Sequence, residues 1–274
     1  MPFSDALILG IVQGLTEFLP VSSTGHLILA REYLGLPLSG GLAYDAILHL
    51  ATAAAVLIYF RKDFLALAKT LLGYASGSVP VPENSRLFLA LLIGTVPAVA
   101  LGLLFEDTIE NAFRSPVLVA YALIAGSAIF LAAEHVLSIR TKHGFIIYGK
   151  TAPSWKNALV IGLFQAIALI PGMSRSGMTI SGGLFTGFSR EEATRFAFLL
   201  SFPVILGAGG LKLFELLSTP EEGAVFVILT GAIAAFVAGI AAIHALLLFV
   251  RRYSLIPFVV YRLLLAAVVF IFLS

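Results

Sequence analysis

Two short segments of an otherwise apolar chain carry the side chains that could act on a phosphate. The first segment offers an amide, a carboxylate, three hydroxyls and an imidazole, at Gln13, Glu17, Ser22, Ser23, Thr24 and His26. The second offers a guanidinium and three hydroxyls, at Arg175, Ser174, Ser176 and Thr179. Carboxylate and amide oxygens can hold Mg²⁺ or Ca²⁺, and arginine and backbone amides neutralise phosphoryl charge. Because serine or histidine can serve as nucleophile or base, the set suits a phosphate ester or anhydride.

Two charged residues in these segments have no charged neighbours in the sequence. Glu17 lies in an apolar run, and Arg175 is the only charged residue between Lys156 and Arg190. Ionisable groups in membrane segments are costly and indicate a functional site. The structural alternative is that Glu17 and Arg175 only neutralise each other. For Ser22, Ser23 and Thr24 the alternative is helix capping or another bond to the backbone, and for His26 it is burial with hydrogen-bond partners.

The two segments belong to a repeated pattern. Residues 5–26 and 157–178 share six identities in 22 at an offset of 152 positions, a match that chance could also give in an apolar chain. Each copy is a short apolar stretch that ends at a proline and a small polar tip, and then resumes over 24–34 or 177–187. In membrane proteins such interrupted pairs are the best sequence indication of a site near the bilayer midplane.

The composition places the chain in a membrane. Of its 274 residues 59% are hydrophobic and 12% are charged, and the mean hydropathy is +1.03. A net charge of +2 gives no indication of a nucleic-acid partner, and disulfides are excluded because there is no cysteine. Met1–Ile8 lacks the basic residues of a cleaved signal peptide. We expect a single membrane domain over residues 1–274.

Apolar stretches of sufficient length predict the spans. A helix needs about 20 apolar residues to cross the bilayer core. Six stretches qualify, at 43–60, 87–105, 116–138, 193–217, 223–250 and 254–273. The stretches 6–19 and 157–170 are too short to cross and predict re-entrant hairpins, whose tips must lie against protein or water. The predicted fold is therefore an all-α integral membrane protein with six transmembrane helices plus two re-entrant helical hairpins.

The distribution of basic residues predicts the orientation. Lysine and arginine concentrate in 61–86 and 139–156, before the fourth span and after the fifth, so these parts should be cytoplasmic. The acidic loops 106–115 and 218–222 should lie outside. Each copy has three spans, so the second repeat, about 153–274, must be inverted relative to the first, about 1–138. The two tips should then meet near the middle of the bilayer, with both termini outside.

The motifs resemble those of a known family. Gln13–Glu17 followed by FLPVSSTGH at Phe18–His26, and PGMSRSGMT at Pro171–Thr179, are similar to the paired motifs of the undecaprenyl-diphosphate phosphatase family, also called the bacitracin-resistance family. The resemblance extends over essentially the whole chain, including PAVALGLLF at 97–105 and IPFVVYR at 256–262.

The resemblance implies an activity and a location. It implies a hydrolase that removes the terminal phosphate of undecaprenyl diphosphate and recycles the carrier lipid for peptidoglycan synthesis, cell shape and bacitracin resistance. The partner implied is this lipid, with bacitracin an indirect partner through the shared substrate, and a homodimer is compatible with it. The resemblance further implies a divalent cation, Mg²⁺ or Ca²⁺, and an inverted repeat. It also implies a site on the outer face of the bacterial cytoplasmic membrane.

The resemblance also assigns residues. By motif position, Glu17 and Gln13 are metal or phosphate ligands, although many members have glutamate at position 13. Ser23 and His26 are the alternatives for nucleophile and for acid/base, and the two motifs do not decide between them. Arg175 holds the diphosphate. The other substrate-binding candidates are Ser22, Thr24, Ser174, Ser176, Thr179 and His49. His49, where many members have glutamine, either lines the pocket or only packs.

Two other functions share features with this sequence. Inverted repeats with broken helices also build secondary transporters, so a polyprenyl-phosphate flippase is the main alternative. The SSTGH and SR elements are also similar to acid-phosphatase-like lipid phosphatases. That family needs a further histidine after the SR element, and the next one here, His244, lies deep in a span and should be structural. Glu134 and His135 should be interfacial.

Overall fold

The computed structural model describes residues 2–36, 42–77, 81–112, 115–145, 152–218 and 224–272. All regular elements in these ranges are α-helices. They are α1 (Phe3–Phe18), α2 (Ser23–Leu34), α3 (Leu42–Tyr59), α4 (Arg61–Ser76), α5 (Pro82–Ala112), α6 (Pro116–Lys142), α7 (Trp155–Ile167), α8 (Arg175–Phe185), α9 (Arg190–Ser218), α10 (Ala224–Val250) and α11 (Ile256–Phe272).

Among the described residues four helices are long and apolar enough to cross a membrane, which supports the predicted helical, multi-pass membrane protein. Their spanning parts are Pro82–Phe105, Pro116–Lys142, Arg190–Gly210 and Phe226–Val250. The other two predicted spans coincide with shorter apolar helices, Tyr44–Tyr59 within α3 and Ile256–Phe272. The count of six spans therefore remains a prediction. Residues 113–114 and 219–222 of the loops predicted to lie outside are not among the described residues.

Both predicted breaks between two short helices are present. The backbone conformations just before the second helix of each pair are nearly the same. The residues that precede α2 and α8 are Ser22 and Ser174, with φ of 75° and 74° and ψ of 95° and 108°. They are the only non-glycine residues with positive φ in the described parts of the chain. Each side chain accepts a hydrogen bond from the backbone N–H three residues later, of Gly25 or Gly177, at 3.3 Å. Equivalent positions of the two copies thus start their second half-helices in the same way.

Glycines allow the first helix of each copy to pack closely against the other copy. A Cβ atom on Gly10 of α1 would lie 2.4 Å from the carbonyl oxygen of Gly231 in α10. On Gly162 of α7 it would lie 2.5 Å from the carbonyl oxygen of Gly94 in α5. Small residues are what let helix backbones approach in membranes. An internal two-fold repeat would produce this paired contact, and the inverted repeat itself remains a prediction.

Ion pairs join helix ends that were predicted to share the cytoplasmic side. Arg195 near the start of α9 binds Asp63 in α4. Arg251 at the end of α10 binds the Glu191 carboxylate with its terminal nitrogen at 2.6 Å. The basic ends of these helices therefore lie together, as the charge distribution requires.

Glu134, predicted to be interfacial, is buried within the protein, and its level relative to the membrane remains a prediction. Arg190 donates to both of its carboxylate oxygens, at 2.5 to 3.1 Å, and the backbone N–H of Leu255 donates to Oε1 at 2.8 Å. A buried carboxylate is tolerated when its partners satisfy it in this way. His244, predicted to be structural, lies with Nδ1 2.9 Å from the hydroxyl of Tyr59.

The sequence predicts a basic connecting segment over 61–86, but its first part forms the helix α4. Its buried residues are Leu67 and Thr70, three positions apart and therefore on one face of the helix. The helix ends at Gly77, whose φ of 72° is the left-handed conformation that commonly terminates helices.

Candidate active site

The tip between α1 and α2 contacts the tip that leads into α8. The backbone N–H of Gly172 donates to Ser22 Oγ at 3.2 Å, and Ser176 Oγ donates to the carbonyl oxygen of Leu19 at 3.1 Å. Gly172 has φ of 101°, and a Cβ atom there would lie 2.7 Å from the carbonyl oxygen of Val119. Only glycine fits this approach. The two predicted tips therefore meet in one place.

Glu17 is the centre of this junction. Its Oε1 accepts from the Arg175 guanidinium. Its Oε2 accepts from Ser23 Oγ at 2.6 Å and from Gln13 Nε2 at 3.0 Å, and His49 Nδ1 lies 3.3 Å from the same oxygen. Only 2% of the side chain is exposed. One buried carboxylate thus gathers groups from α1, α2, α3 and α8.

Arg175 binds Glu17 and has further N–H groups that can donate hydrogen bonds. One terminal nitrogen is used on Glu17, and no other described residue bonds to the guanidinium. The side chain is 22% exposed. A guanidinium has five N–H donors in a fixed fork, so those that do not face Glu17 can bind phosphate oxygens. The two interpretations of Arg175, a structural ion pair and a phosphate ligand, are therefore compatible.

The predicted metal ligands have a donor set that fits a hard cation. Gln13 Oε1 is buried and has no hydrogen-bond partner among the described residues. An amide oxygen without a partner beside a carboxylate fits Mg²⁺ or Ca²⁺, and Mg²⁺ commonly completes its shell with water and substrate phosphates. The described residues contain no group of three or more His, Asp or Glu side chains that could hold a metal. Metal binding by Glu17 and Gln13 therefore remains a prediction.

Most of the predicted substrate-binding hydroxyls bond to backbone. Ser22 and Ser174 cap helices, as described above. Ser176 joins the tips, and Thr179 Oγ1 donates to the carbonyl oxygen of Arg175 at 2.7 Å. All four side chains are buried. Capping accounts for the contacts of Ser22 and Ser174, and other bonds to backbone account for those of Ser176 and Thr179. Ser23 is half-buried and Thr24 is exposed.

His49 contacts the site. The sequence alone does not decide whether His49 lines the pocket or only packs. Its Nδ1 lies 2.8 Å from Gln13 Nε2 and is 3.3 Å from Glu17. Its side chain is 24% exposed, so one edge of the ring borders the open side of the junction.

His26 is held at both ring nitrogens. Nδ1 lies 2.7 Å from the carbonyl oxygen of Ser22, and Nε2 lies 2.6 Å from the hydroxyl of Tyr261. The two ring planes are 8° apart, with their centroids 5.6 Å from each other. Because a carbonyl oxygen only accepts, Nδ1 carries the hydrogen, and in the neutral ring Nε2 accepts from Tyr261.

Arg262 is a buried cation at the second tip that sequence reasoning missed. Its side chain is fully buried and donates to the carbonyl oxygens of Gly172 at 3.0 Å and Met173 at 3.3 Å. It also donates to Leu123 and Ser127 of α6, at 3.0 and 3.1 Å. No carboxylate of the described residues pairs with it. The sequence does contain a signal for this residue, because Arg262 is the only charged side chain after Arg252, within an apolar stretch.

Comparison with known proteins decides the family. The family model for Bacitracin resistance protein BacA matches residues 6–268. The chain belongs to the BacA family. Curated relatives of this BacA-family chain are named undecaprenyl-diphosphatase. One from Rubrobacter xylanophilus is 45% identical, with 97% of this chain and 96% of the relative covered. Others are from Thioalkalivibrio sulfidiphilus (42%, with 97% of each covered) and Chloroherpeton thalassium (40%, with 100% and 98% covered).

The match confirms the family inferred from the motifs. In this BacA-family chain the motif pair lies where the two tips meet, and Glu17 and Arg175, one from each motif, bind each other there. The roles assigned to individual residues by motif position remain predictions.

Proposed function

We propose that this chain is an undecaprenyl-diphosphatase, which hydrolyses undecaprenyl diphosphate to undecaprenyl phosphate and inorganic phosphate. The names of relatives that cover nearly its whole length support this activity. The structural observation that carries it is the junction of the tips, where Ser23, Glu17 and Arg175 form one hydrogen-bonded set. As a hydrolase of the carrier lipid, the enzyme serves peptidoglycan synthesis and the cell wall.

The nucleophile in this proposal is Ser23. Its hydroxyl already donates to Glu17 Oε2 at 2.6 Å, and Gln13 and Arg175 hold the carboxylate in place. A nucleophile, its base and the groups that orient the base form the usual arrangement for covalent catalysis. His26 is the less suitable attacking group because both of its ring nitrogens are engaged.

The reaction follows from these contacts. Ser23 Oγ attacks the terminal phosphorus, its proton passes to Glu17, and the bond to the bridging oxygen breaks to release undecaprenyl phosphate. Water then attacks the phosphoserine and gives one proton to solvent, Ser23 Oγ leaves and takes back the proton held by Glu17, and inorganic phosphate is released. Arg175 offers its remaining N–H groups to the phosphoryl oxygens as charge develops. A divalent cation held by Glu17 and Gln13 would neutralise further charge on the diphosphate.

The fold that serves this site has six spans and two re-entrant hairpins in an inverted repeat. Ser22 and Ser174 support it because they share an unusual backbone conformation at equivalent positions. Gly10 and Gly162 support it because each packs against a glycine of the other copy. In this arrangement the tips lie near the bilayer midplane, and the prenyl tail stays in lipid between helices.

The location proposed is the bacterial cytoplasmic membrane, with the site open to the outer side. The arginines of α9 and α10 support this orientation, since Arg190, Arg195 and Arg251 lie at one end of the bundle and basic ends face the cytoplasm. Bacitracin is an indirect partner, through its shared lipid, and a homodimer is part of the same prediction.

Phosphate release from a long-chain prenyl diphosphate tests the activity. The purified chain in detergent with Mg²⁺ should release inorganic phosphate, and the Glu17→Gln variant should not. A flippase would release none from either protein. Transfer of fluorescent lipid in liposomes then shows whether the chain also moves lipid between leaflets.

A further inference from the structure

We propose that Tyr261 is a positioning residue that fixes the imidazole of His26 at the phosphate site. The proposal rests on the proposed phosphatase function. It concerns a side chain of the last helix, 235 residues along the chain from the histidine that it contacts.

The hydrogen bonds of His26 define which atom Tyr261 controls. Nδ1 carries the hydrogen because it donates to the carbonyl oxygen of Ser22 at 2.7 Å. The lone pair on Nε2 is therefore the only basic site of the neutral ring, and it faces the Tyr261 hydroxyl at 2.6 Å. Any proton exchanged at Nε2 must replace that hydrogen bond or pass through the hydroxyl.

The ring of Tyr261 adds a second constraint. Its plane lies within 8° of the imidazole plane with the ring centroids 5.6 Å apart, and the 2.6 Å hydrogen bond places the two rings edge to edge. Tilting the imidazole about its own bonds would break the Ser22 contact or the Tyr261 contact. Within the proposed function Ser23 is the nucleophile, which leaves His26 the acid/base role, and a group in that role must be held closely because small displacements cost much of the rate.

The neighbouring residue explains why Tyr261 is itself immobile. Arg262 is fully buried and donates to Leu123 of α6 and to Gly172 of the second tip. Val259, two positions before Tyr261, is also buried. The anchored backbone of α11 therefore fixes Tyr261, although 45% of its own surface is exposed. Through these two residues α11 holds His26 of the first tip and the backbone of the second.

The experiment compares the wild type with Tyr261→Phe, which keeps the aromatic ring and removes only the hydroxyl. We expect kcat to fall about tenfold, the effect of losing one hydrogen bond, and KM to stay within about twofold. The melting temperature should not change. Tyr253→Phe is the matched control, because Tyr253 is an exposed tyrosine near the start of the same helix, and it should keep wild-type kinetics.

A chemical readout separates positioning from a general structural effect. Diethyl pyrocarbonate acylates an imidazole nitrogen that has a free lone pair, and the modified His26 peptide is quantified by mass spectrometry. Modification should be several-fold faster in Tyr261→Phe than in wild type, and faster still in Tyr261→Leu, which also removes the ring. Wild-type kcat together with wild-type modification rates in both variants would overturn the proposal.

The two readouts also separate this proposal from the proposed function. If the wild type releases no phosphate, the phosphatase function fails and the role in catalysis fails with it, whereas the labelling result still reports the Tyr261–His26 contact. If the wild type is active and Tyr261→Phe matches it in both assays, only the positioning role fails.

Discussion

Ser23 and Glu17 are joined by a 2.6 Å hydrogen bond that crosses the break between α1 and α2. Neither helix alone could place a hydroxyl on that carboxylate, because the contact depends on the turn at Ser22, where φ is 75°. The same carboxylate binds Arg175 of the second tip. The break in the first copy and the tip of the second are therefore used together, and each prediction below tests one part of that arrangement.

The ion pair of Glu17 with Arg175 is predicted to serve both stability and catalysis. In Arg175→Ala a buried carboxylate loses its counter-ion, so the free energy of unfolding should fall by about 3–5 kcal/mol. The double variant Glu17→Gln with Arg175→Ala should recover most of that stability, because the uncompensated charge is gone, but none of the activity. Thermal melts and phosphate release distinguish the two effects. Recovery of activity in the double variant would show that Arg175 does not bind phosphate.

Arg262 is predicted to hold the second tip in its active shape. Arg262→Met leaves the carbonyl oxygens of Gly172 and Met173 without their donor, which should lower the free energy of unfolding by about 2 kcal/mol or more and reduce kcat at least tenfold. Arg252→Met, in an exposed arginine just beyond α10, is the control and should change neither quantity. A folded Arg262→Met protein with full activity would show that Arg262 is not needed to hold the second tip in its active shape.

The glycine contacts between the two copies are predicted to be essential to folding. In Gly10→Ala the added methyl would lie 2.4 Å from a backbone oxygen of α10, and in Gly162→Ala it would lie 2.5 Å from one of α5. Each should destabilise the protein by about 1–3 kcal/mol, since backbone atoms cannot move aside cheaply. Gly207→Ala has no atom within 4 Å of the new methyl and is the matched control. Melting temperatures equal across the three variants would contradict the close packing.

Much of this arrangement could be predicted from sequence, for identifiable reasons. The interrupted helices follow from Pro20 and Pro171 beside small polar tips, and the meeting of the tips follows from counting spans. The family follows from the motifs. Sequence also showed that Glu17 and Arg175 were the unusual charges, although it could not decide between a structural pair and a functional one.

Other features depend on contacts that no local pattern reveals. Tyr261 reaches His26 across most of the chain, so no spacing rule connects them. Glu134 is buried because Arg190 and Leu255 approach it from distant segments. The preference for Ser23 over His26 as nucleophile is a proposal that rests on the partners of both imidazole nitrogens, which the sequence does not show. Helix α4 was missed because its basic residues suggested a loop.

Metal dependence tests the role of Gln13. Chelation with EDTA should abolish phosphate release, and Mg²⁺ should restore it. Gln13→Glu adds a second carboxylate beside Glu17, so half-maximal activity should require less Mg²⁺, whereas Gln13→Leu removes an oxygen ligand and should require more. Titrations of activity against Mg²⁺ for the three proteins provide the measurement. Identical Mg²⁺ requirements would place the cation away from Gln13.

The identity of the nucleophile tests the central claim most directly. Prenyl diphosphate labelled with ³²P in its terminal phosphate is mixed with the enzyme, and the labelled peptide is mapped after two parallel quenches. One quench is acidic, in which phosphoserine survives, and the other is alkaline, in which phosphohistidine survives. We predict acid-stable label on Ser23, lost in Ser23→Ala together with activity but retained in Ser85→Ala, whose hydroxyl only donates to the Val81 carbonyl oxygen. Label on His26, or full phosphate release by Ser23→Ala, would contradict the account.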